Sequence, residues 1–143
     1  MDPVAASPTD EPRIKELLSS CGLLHEDITS EHLHHFWVLK KQNQIIGVVG
    51  LEMLRPLALL RSLAVDPSYR NQGLSSQLTQ QAEKYADSLK IQALYLLTTT
   101  AEGFFAKRGY KKVLREDVPD QIQGTAEFRS LCPATAVCMV KFI

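Results

Sequence analysis

The chain has 143 residues, 45% hydrophobic and 22% charged, the balance of a folded globular domain rather than a disordered or low-complexity one. At that length roughly 68–70% of the unfolded surface is buried, enough for a core without disulfide or metal support. Three cysteines are also too few and too odd in number for a disulfide framework. Sixteen basic residues against sixteen acidic ones argue against nucleic-acid binding by counterion release, and no apolar run reaches the ~18–20 residues of a membrane span. The first residues, MDPVAASPTDEP, are acidic and lack the apolar stretch of a signal peptide. The expectation is a single domain over 1–143 in the cytoplasm, without nucleic-acid or membrane partners.

Val4-Ala5-Ala6 reads as a short strand. Thr9 is placed to cap a helix whose first turn holds Asp10, Glu11 and Pro12. Ile14, Leu17, Leu18 and Cys21 then fall on one apolar stripe, and Gly22 supplies the stop. Leu24 to His34 is polar, with a short helix expected after Thr29 or Ser30. Phe36–Lys40 and Ile45–Leu54 predict a β-hairpin around Gln42-Asn43-Gln44, where Asn43 tolerates a left-handed turn. Leu57–Val65 is nearly all apolar, broken by Arg61 and Ser62, as suits a strand buried on both faces. Asp66-Pro67 ends it.

Leu74, Leu78, Ala82, Tyr85, Ala86 and Leu89 recur at helical spacing, predicting an amphipathic helix over 74–89. Ala93–Leu97 is a second buried strand. A shorter helix runs from Ala101 to Arg108 with Gly109 as its left-handed cap. Pro119–Ser130 is weakly helical, and Val137–Ile143 closes the chain as a strand. Strand, helices, three-strand meander, helix, strand, helix, strand is the order of an α+β or α/β domain with a partly parallel sheet.

The segment Leu63 to Ser76 joins a buried strand, a glycine turn and the first turn of the long helix. The N–H groups of Gln72, Gly73, Leu74 and Ser75 at that start lack helical acceptors, and the helix dipole adds positive potential. The place suits an anion such as pyrophosphate. Gly73 allows close approach of the phosphate, and Arg70 can pair with one of its oxygens. A nucleotide-triphosphate loop is excluded by the absence of any Gly-Lys-Ser/Thr, and a dinucleotide fingerprint by the isolation of Gly73.

Arg70-Asn71-Gln72-Gly73-Leu74-Ser75 resembles the acetyl-CoA signature R/Q-x-x-G-x-G/A of the GNAT acyltransferase superfamily, with Ser75 replacing the last small residue. Leu-Ala-Val-Asp-Pro-x-Tyr-Arg precedes it, and the block from Phe104 to Tyr110 resembles the superfamily's F-Y-x-x-x-G-F helix. The block from Leu96 to Phe105 is similar to the L-T-T-x-T-x-x-W-F of N-acetylglutamate synthases. Together with Thr125–Pro133 and Cys138-Met139, the chain resembles the small GNAT proteins encoded beside arsenic-resistance genes.

The resemblance implies a mixed sheet of six or seven strands, splayed in the middle and flanked by about four helices. It implies acetyl-CoA as acetyl donor, lying in the V between Leu60–Val65 and Ala93–Leu97. Leu63, Ala64 and Val65, the loop residues Arg70, Asn71, Gln72, Gly73, Leu74, Ser75 and Ser76, and Phe104 beneath are the expected cofactor contacts. Pantetheine would pair with the backbone at Leu63 and Val65, with the Val65 N–H as oxyanion donor. An amine would attack directly in a ternary complex, where orientation supplies much of the rate. Many members place a tyrosine acid where this chain has Phe105, which cannot donate. Unaided thiolate departure near pH 7 forfeits roughly 2 kcal/mol at most. Glu52 is the expected base, acting through water, with Arg61 and Arg129 as forks for a substrate carboxylate and Thr98 as a further substrate contact. A homodimer through the late strands is a further implication.

Other groupings carry less. His32, His34 and His35 do not share one face of a helix or strand, so no metal is expected. Cys132 and Cys138 stand too far apart for a zinc knuckle. As soft thiolates they suit trivalent arsenic, though small buried residues is the simpler reading. Three functions follow: an N-acetyltransferase acting on a small amine, an amino acid or analogue; a non-catalytic acetyl-CoA sensor or arsenic-resistance accessory protein; and a thiol-based arsenic binder.

Overall fold

The structure, a computed structural model, describes residues 1–130 and 136–143. Its elements are β1 (Val4–Ala5), α1 (Glu11–Ser20), β2 (Phe36–Lys41), β3 (Gln44–Leu54), β4 (Leu57–Val65), α2 (Leu74–Ser88), β5 (Ala93–Thr98), α3 (Glu102–Ala106), β6 (Lys111–Val113), α4 (Asp120–Gln123), α5 (Ala126–Ser130) and β7 (Val137–Phe142). All seven strands join one sheet in the order β1-β2-β3-β4-β5-β7-β6. Only β4 and β5 run parallel; the other neighbours are antiparallel. This is the mixed-sheet α+β architecture expected.

Alternation along the central strands buries both faces. Trp37, Leu39, Val49 and Leu51 meet Leu74, Leu78, Ala82 and Ala86 of α2 on one face. Phe36, Val38 and Val48 meet Ile14, Leu17 and Leu18 of α1 on the other. That second face carries a separate cluster farther along, where Val118, Ile122 of α4 and Phe128 of α5 cover Leu59, Tyr95 and Val140. The gap between these two clusters is where the charged residues described below are placed.

Three local expectations change. The cap of α1 is not Thr9: a 3-10 turn over Pro8–Asp10 precedes the helix, and the Ser7 N–H donates to Asp10 Oδ2 at 2.9 Å. That bond and Lys40, 3.2 Å away, hold the Asp10 carboxyl below its ordinary value although burial opposes them. The hairpin turn is the pair Gln42-Asn43 alone, both at positive φ (52° and 65°), as a two-residue turn matched to strand twist requires. Strand β6 was not expected. It has three residues, two of them lysines, and exists only by pairing with β7.

Candidate active site

Strands β4 and β5 pair only from Leu57 to Leu59 against Ala93 to Tyr95. Beyond that they separate. In β4 the register against β3 moves three residues, Ala64 to Arg61, while β3 moves two, Val48 to Gly50. The extra residue is a bulge at Ser62, whose φ is +60°. A bulge bends and twists its strand, and this one lies where β4 leaves β5. The Asp66 N–H donates to the Ile46 carbonyl at 2.8 Å. Because antiparallel pairs alternate, Val65 turns its own N–H and C=O to the opposite edge, toward the gap.

The gap is a cleft of two lobes that meet at Leu23, Leu63, Thr100 and Ala101. The outer lobe, of about 780 Å³, has Leu63, Ala64, Val65, Arg70, Asn71, Gly73, Leu74, Ser75, Ser76 and Phe104 on its wall. Of the residues expected to hold a cofactor, only Gln72 is off that wall, although it lies in the same turn. Gly73 has φ +76° and a Cβ there would meet nothing within 4 Å, so the turn's handedness, not space, calls for glycine. The first helical bond, Gln77 N–H to the Gly73 carbonyl, leaves the N–H groups of Leu74, Ser75 and Ser76 without helical acceptors. The Arg70 Nε donates to the Val65 carbonyl at 3.3 Å. Opposite, the Arg108 guanidinium stacks 3.8 Å from the Phe104 ring centre and donates to Ser76 Oγ.

The inner lobe, of about 390 Å³, is lined by Arg61, Ser62, Thr98, Thr99, Phe105 and Glu127 among others. Thr98 is on its wall, with its hydroxyl accepting the Ala101 N–H at 3.0 Å. Arg129 is exposed on α5 and is not on the wall.

Arg61 is not an open fork, and that expectation is corrected. Its side chain is 0% exposed, in the gap between the two clusters of the α1 face. Nη1 and Nη2 donate to the two oxygens of Asp27 at 2.5 and 2.7 Å, and Nη1 also donates to Glu52 at 3.1 Å. Nε donates to Ser62 Oγ at 3.1 Å and lies 3.7 Å from Glu127. A buried guanidinium needs such partners, and here they come from this chain. Burial disfavours its charge, but Asp27, Glu127 and Glu52 together keep it protonated above its ordinary range. Asp27 is held below the usual carboxylate range: burial opposes this, and the Arg61 fork overrides it. Glu127 is pushed the other way by burial, with Arg61 only partly compensating.

Glu52 likewise differs from expectation. It stands opposite Leu59 in the β3–β4 ladder, engaged by Arg61, and it is not on the wall of either lobe. Glu127 holds that place. Sequence reasoning passed over Glu127 and Asp27, although an arginine inside an apolar strand signals that carboxylates must meet it.

Asp27, His32 and Glu52 present ligand atoms within 4.8 Å of one another. Arg61 already donates to both carboxylates, so a dication there would face a buried guanidinium, and the group does not fit a metal. Two of the histidines have separate partners: His32 Nδ1 accepts the Thr29 N–H, and His35 Nδ1 is 2.8 Å from the Tyr85 hydroxyl. Cys138 is buried in β7 between Leu97 and Val113. Cys132 lies outside the described residues.

An uncharacterized N-acetyltransferase of Chlorobaculum tepidum is 31% identical over 109 residues, 76% of this chain and 68% of that protein. An amino-acid acetyltransferase of Mycobacterium tuberculosis is 24% identical over 147 residues, 96% of this chain and 81% of the other. Among solved structures, one from Mycobacterium tuberculosis in complex with CoA and NLQ superposes with a TM-score of 0.83 at 23% identity, covering 100% of this chain and 99% of that one. N-acetylglutamate synthase from Neisseria gonorrhoeae, complexed with coenzyme A and N-acetyl-glutamate, gives 0.84 at 21% identity over 99% of this chain and 34% of the other. The acetyltransferase (GNAT) family pattern itself matches residues 5–113, from β1 through the splayed strands to β6, and the chain belongs to that family.

Proposed function

We propose that the protein transfers the acetyl group of acetyl-CoA to the amine of a small molecule, an amino acid or an amino-acid analogue. The observation that carries this reading is the adjacency of the two lobes, which share Leu23, Leu63, Thr100 and Ala101. One end is a glycine-turned helix start suited to phosphates, with the outward-facing backbone of Val65 on the same wall, and the other is a pocket with ionisable walls.

In this reading the first-turn N–H groups of α2 and Arg70 hold the pyrophosphate, which requires Arg70 to leave the Val65 carbonyl. The freed edge at Leu63 and Val65 pairs with pantetheine, and the Val65 N–H stabilises the thioester oxygen as charge develops on it. The acceptor nitrogen enters from the inner lobe past Thr98 and attacks directly. Phe105, buried on that wall, gives the departing sulfur no proton.

Titration calorimetry of acetyl-CoA into the protein and into Arg70→Ala and Gly73→Glu tests the loop, with binding expected in the first and lost in the variants. Thiol release across amino acids and arsenical amino-acid analogues then tests transfer. Binding without product from any acceptor would make the protein a sensor instead.

The saturation of Arg61 by three carboxylates favours a second reading of the acceptor, an amine with no carboxylate of its own. Matched pairs decide between them: lysine against cadaverine, ornithine against putrescine. A higher kcat/KM for the decarboxylated member of each pair supports the second reading.

A further inference from the structure

We propose that Glu127 receives the ammonium group of the acceptor and takes its proton, acting as the catalytic base; this rests on the acetyl-transfer reading above. Arg61 and Glu127 are the charged residues on the wall of the inner lobe among those described. The Arg61 side chain is fully covered, whereas that of Glu127 is 14% exposed, so the carboxylate is the charge a ligand meets. The lobe shares Leu63 and Thr100 with the one that holds the helix start, so a nucleophile beside Glu127 is next to the lobe that carries the Val65 backbone.

The Arg61 cluster explains why the base is this carboxylate and not Glu52. Asp27 takes both terminal nitrogens of the guanidinium at 2.5 and 2.7 Å and Glu52 shares one at 3.1 Å, while Nε stands farther from Glu127, at 3.7 Å. Arg61 favours the ionised form of Glu127, but less than burial disfavours it. Burial raises the proton affinity of Glu127, which brings it nearer the working pH of a base.

The step balances. Glu127 takes one proton from the R-NH3⁺ group, and the resulting amine forms the C–N bond as the thioester C–S bond breaks. The sulfur leaves as thiolate and takes the second proton lost by nitrogen, and Glu127 returns its proton to water.

The test measures thiol release from acetyl-CoA with the fastest member of the amino acid and decarboxylated amine panel, over a range of pH, for wild type, Glu127→Gln, Glu127→Asp and Glu52→Gln. Glu127→Gln is expected to lower kcat by about 10²–10⁴-fold, to lose the acid limb of the pH profile, and to bind acetyl-CoA as wild type does. Glu127→Asp restores part of the rate. Hydroxylamine, an acceptor mostly neutral at pH 7, needs no base, so its background-corrected rate falls far less in Glu127→Gln. The proposal is overturned if hydroxylamine transfer falls equally, since the residue is then structural, or if the acid limb survives in Glu127→Gln and vanishes in Glu52→Gln. A wild type that releases no thiol with any amine overturns the acetyl-transfer reading, and this proposal with it.

Discussion

Arg61 keeps its Nε 3.7 Å from a carboxylate oxygen of Glu127 while Asp27 holds both of its terminal nitrogens. The two carboxylates therefore experience the same cation differently. Asp27 gains a short fork that outweighs its partial burial, and Glu127, more deeply placed, does not recover what burial costs it.

Opposite pH dependences follow. Asp27 has a lower pKa folded than unfolded, so its stabilisation is complete above the ordinary value of about 3.9 and is lost as pH falls through the folded value. Asp27→Asn is expected to destabilise by roughly 1–3 kcal/mol at pH 7, leaving a buried guanidinium less well met, and by progressively less as pH falls below about 3.9. Glu127 has the higher pKa folded, so what it contributes is present below about 4.3 and is lost as pH rises through its folded value. Glu127→Gln should then gain stability relative to wild type as pH rises. Urea unfolding of all three proteins at pH 3 and 7 checks both signs.

Gly73→Ala isolates the turn from any steric effect, because a Cβ there meets nothing. Holding alanine at φ +76° costs about 1–2 kcal/mol, which lowers stability if the turn keeps its shape, or lowers acetyl-CoA affinity by about tenfold if the free turn relaxes away from the cleft. The thermal midpoint reads the first and calorimetry the second. An unchanged Kd with an unchanged midpoint would show that the handedness of this turn is unimportant.

Gly50→Ala is the contrasting case. Gly50 pairs across the ladder with Phe36, and a Cβ would lie 2.3–2.6 Å from that ring, which is buried under α1. Overpacking of this kind costs about 1–3 kcal/mol, so the urea midpoint should fall with an unchanged slope. Acetyl-CoA affinity should follow only to the extent that the sheet unfolds.

Phe105→Tyr supplies the missing hydroxyl at a position packed edge-on against Phe104 and Tyr110, with ring centres 5.1 and 5.4 Å away. Assisting thiolate departure is worth at most about 2 kcal/mol near pH 7, so kcat should rise by no more than about thirtyfold. The gain should shrink toward pH 9, where the thiolate leaves unaided. Comparing kcat at the two pH values measures it.

Elements with strong periodicity were legible from sequence: α2 from its apolar spacing, β4 from its apolar run, the hairpin from Asn43. The residues of the loop before α2 also fell where their order suggested. The Arg61 environment was not legible. Its partners sit on an aperiodic loop, on the neighbouring strand and on a weak five-residue helix, and only the folded sheet brings them together. An arginine in a buried strand announces a need for carboxylates but not their addresses. Strand β6 failed for a related reason, since three residues paired only with β7 carry no periodicity of their own.

The short ladder between β4 and β5 also divides the sheet. Three residue pairs, Leu57–Leu59 with Ala93–Tyr95, fasten a half-sheet of β1–β4 to one of β5–β7. That joint is the natural hinge of the sheet, and the core beneath α2 crosses it, with Leu51 and Ala58 in one cluster with Leu94, Leu96 and Met139. Ala58 and Leu94, fully buried at that hinge, touch neither lobe, yet a change in their bulk would alter the aperture at the far end. Cleft width can thus be tuned by substitutions remote from the chemistry.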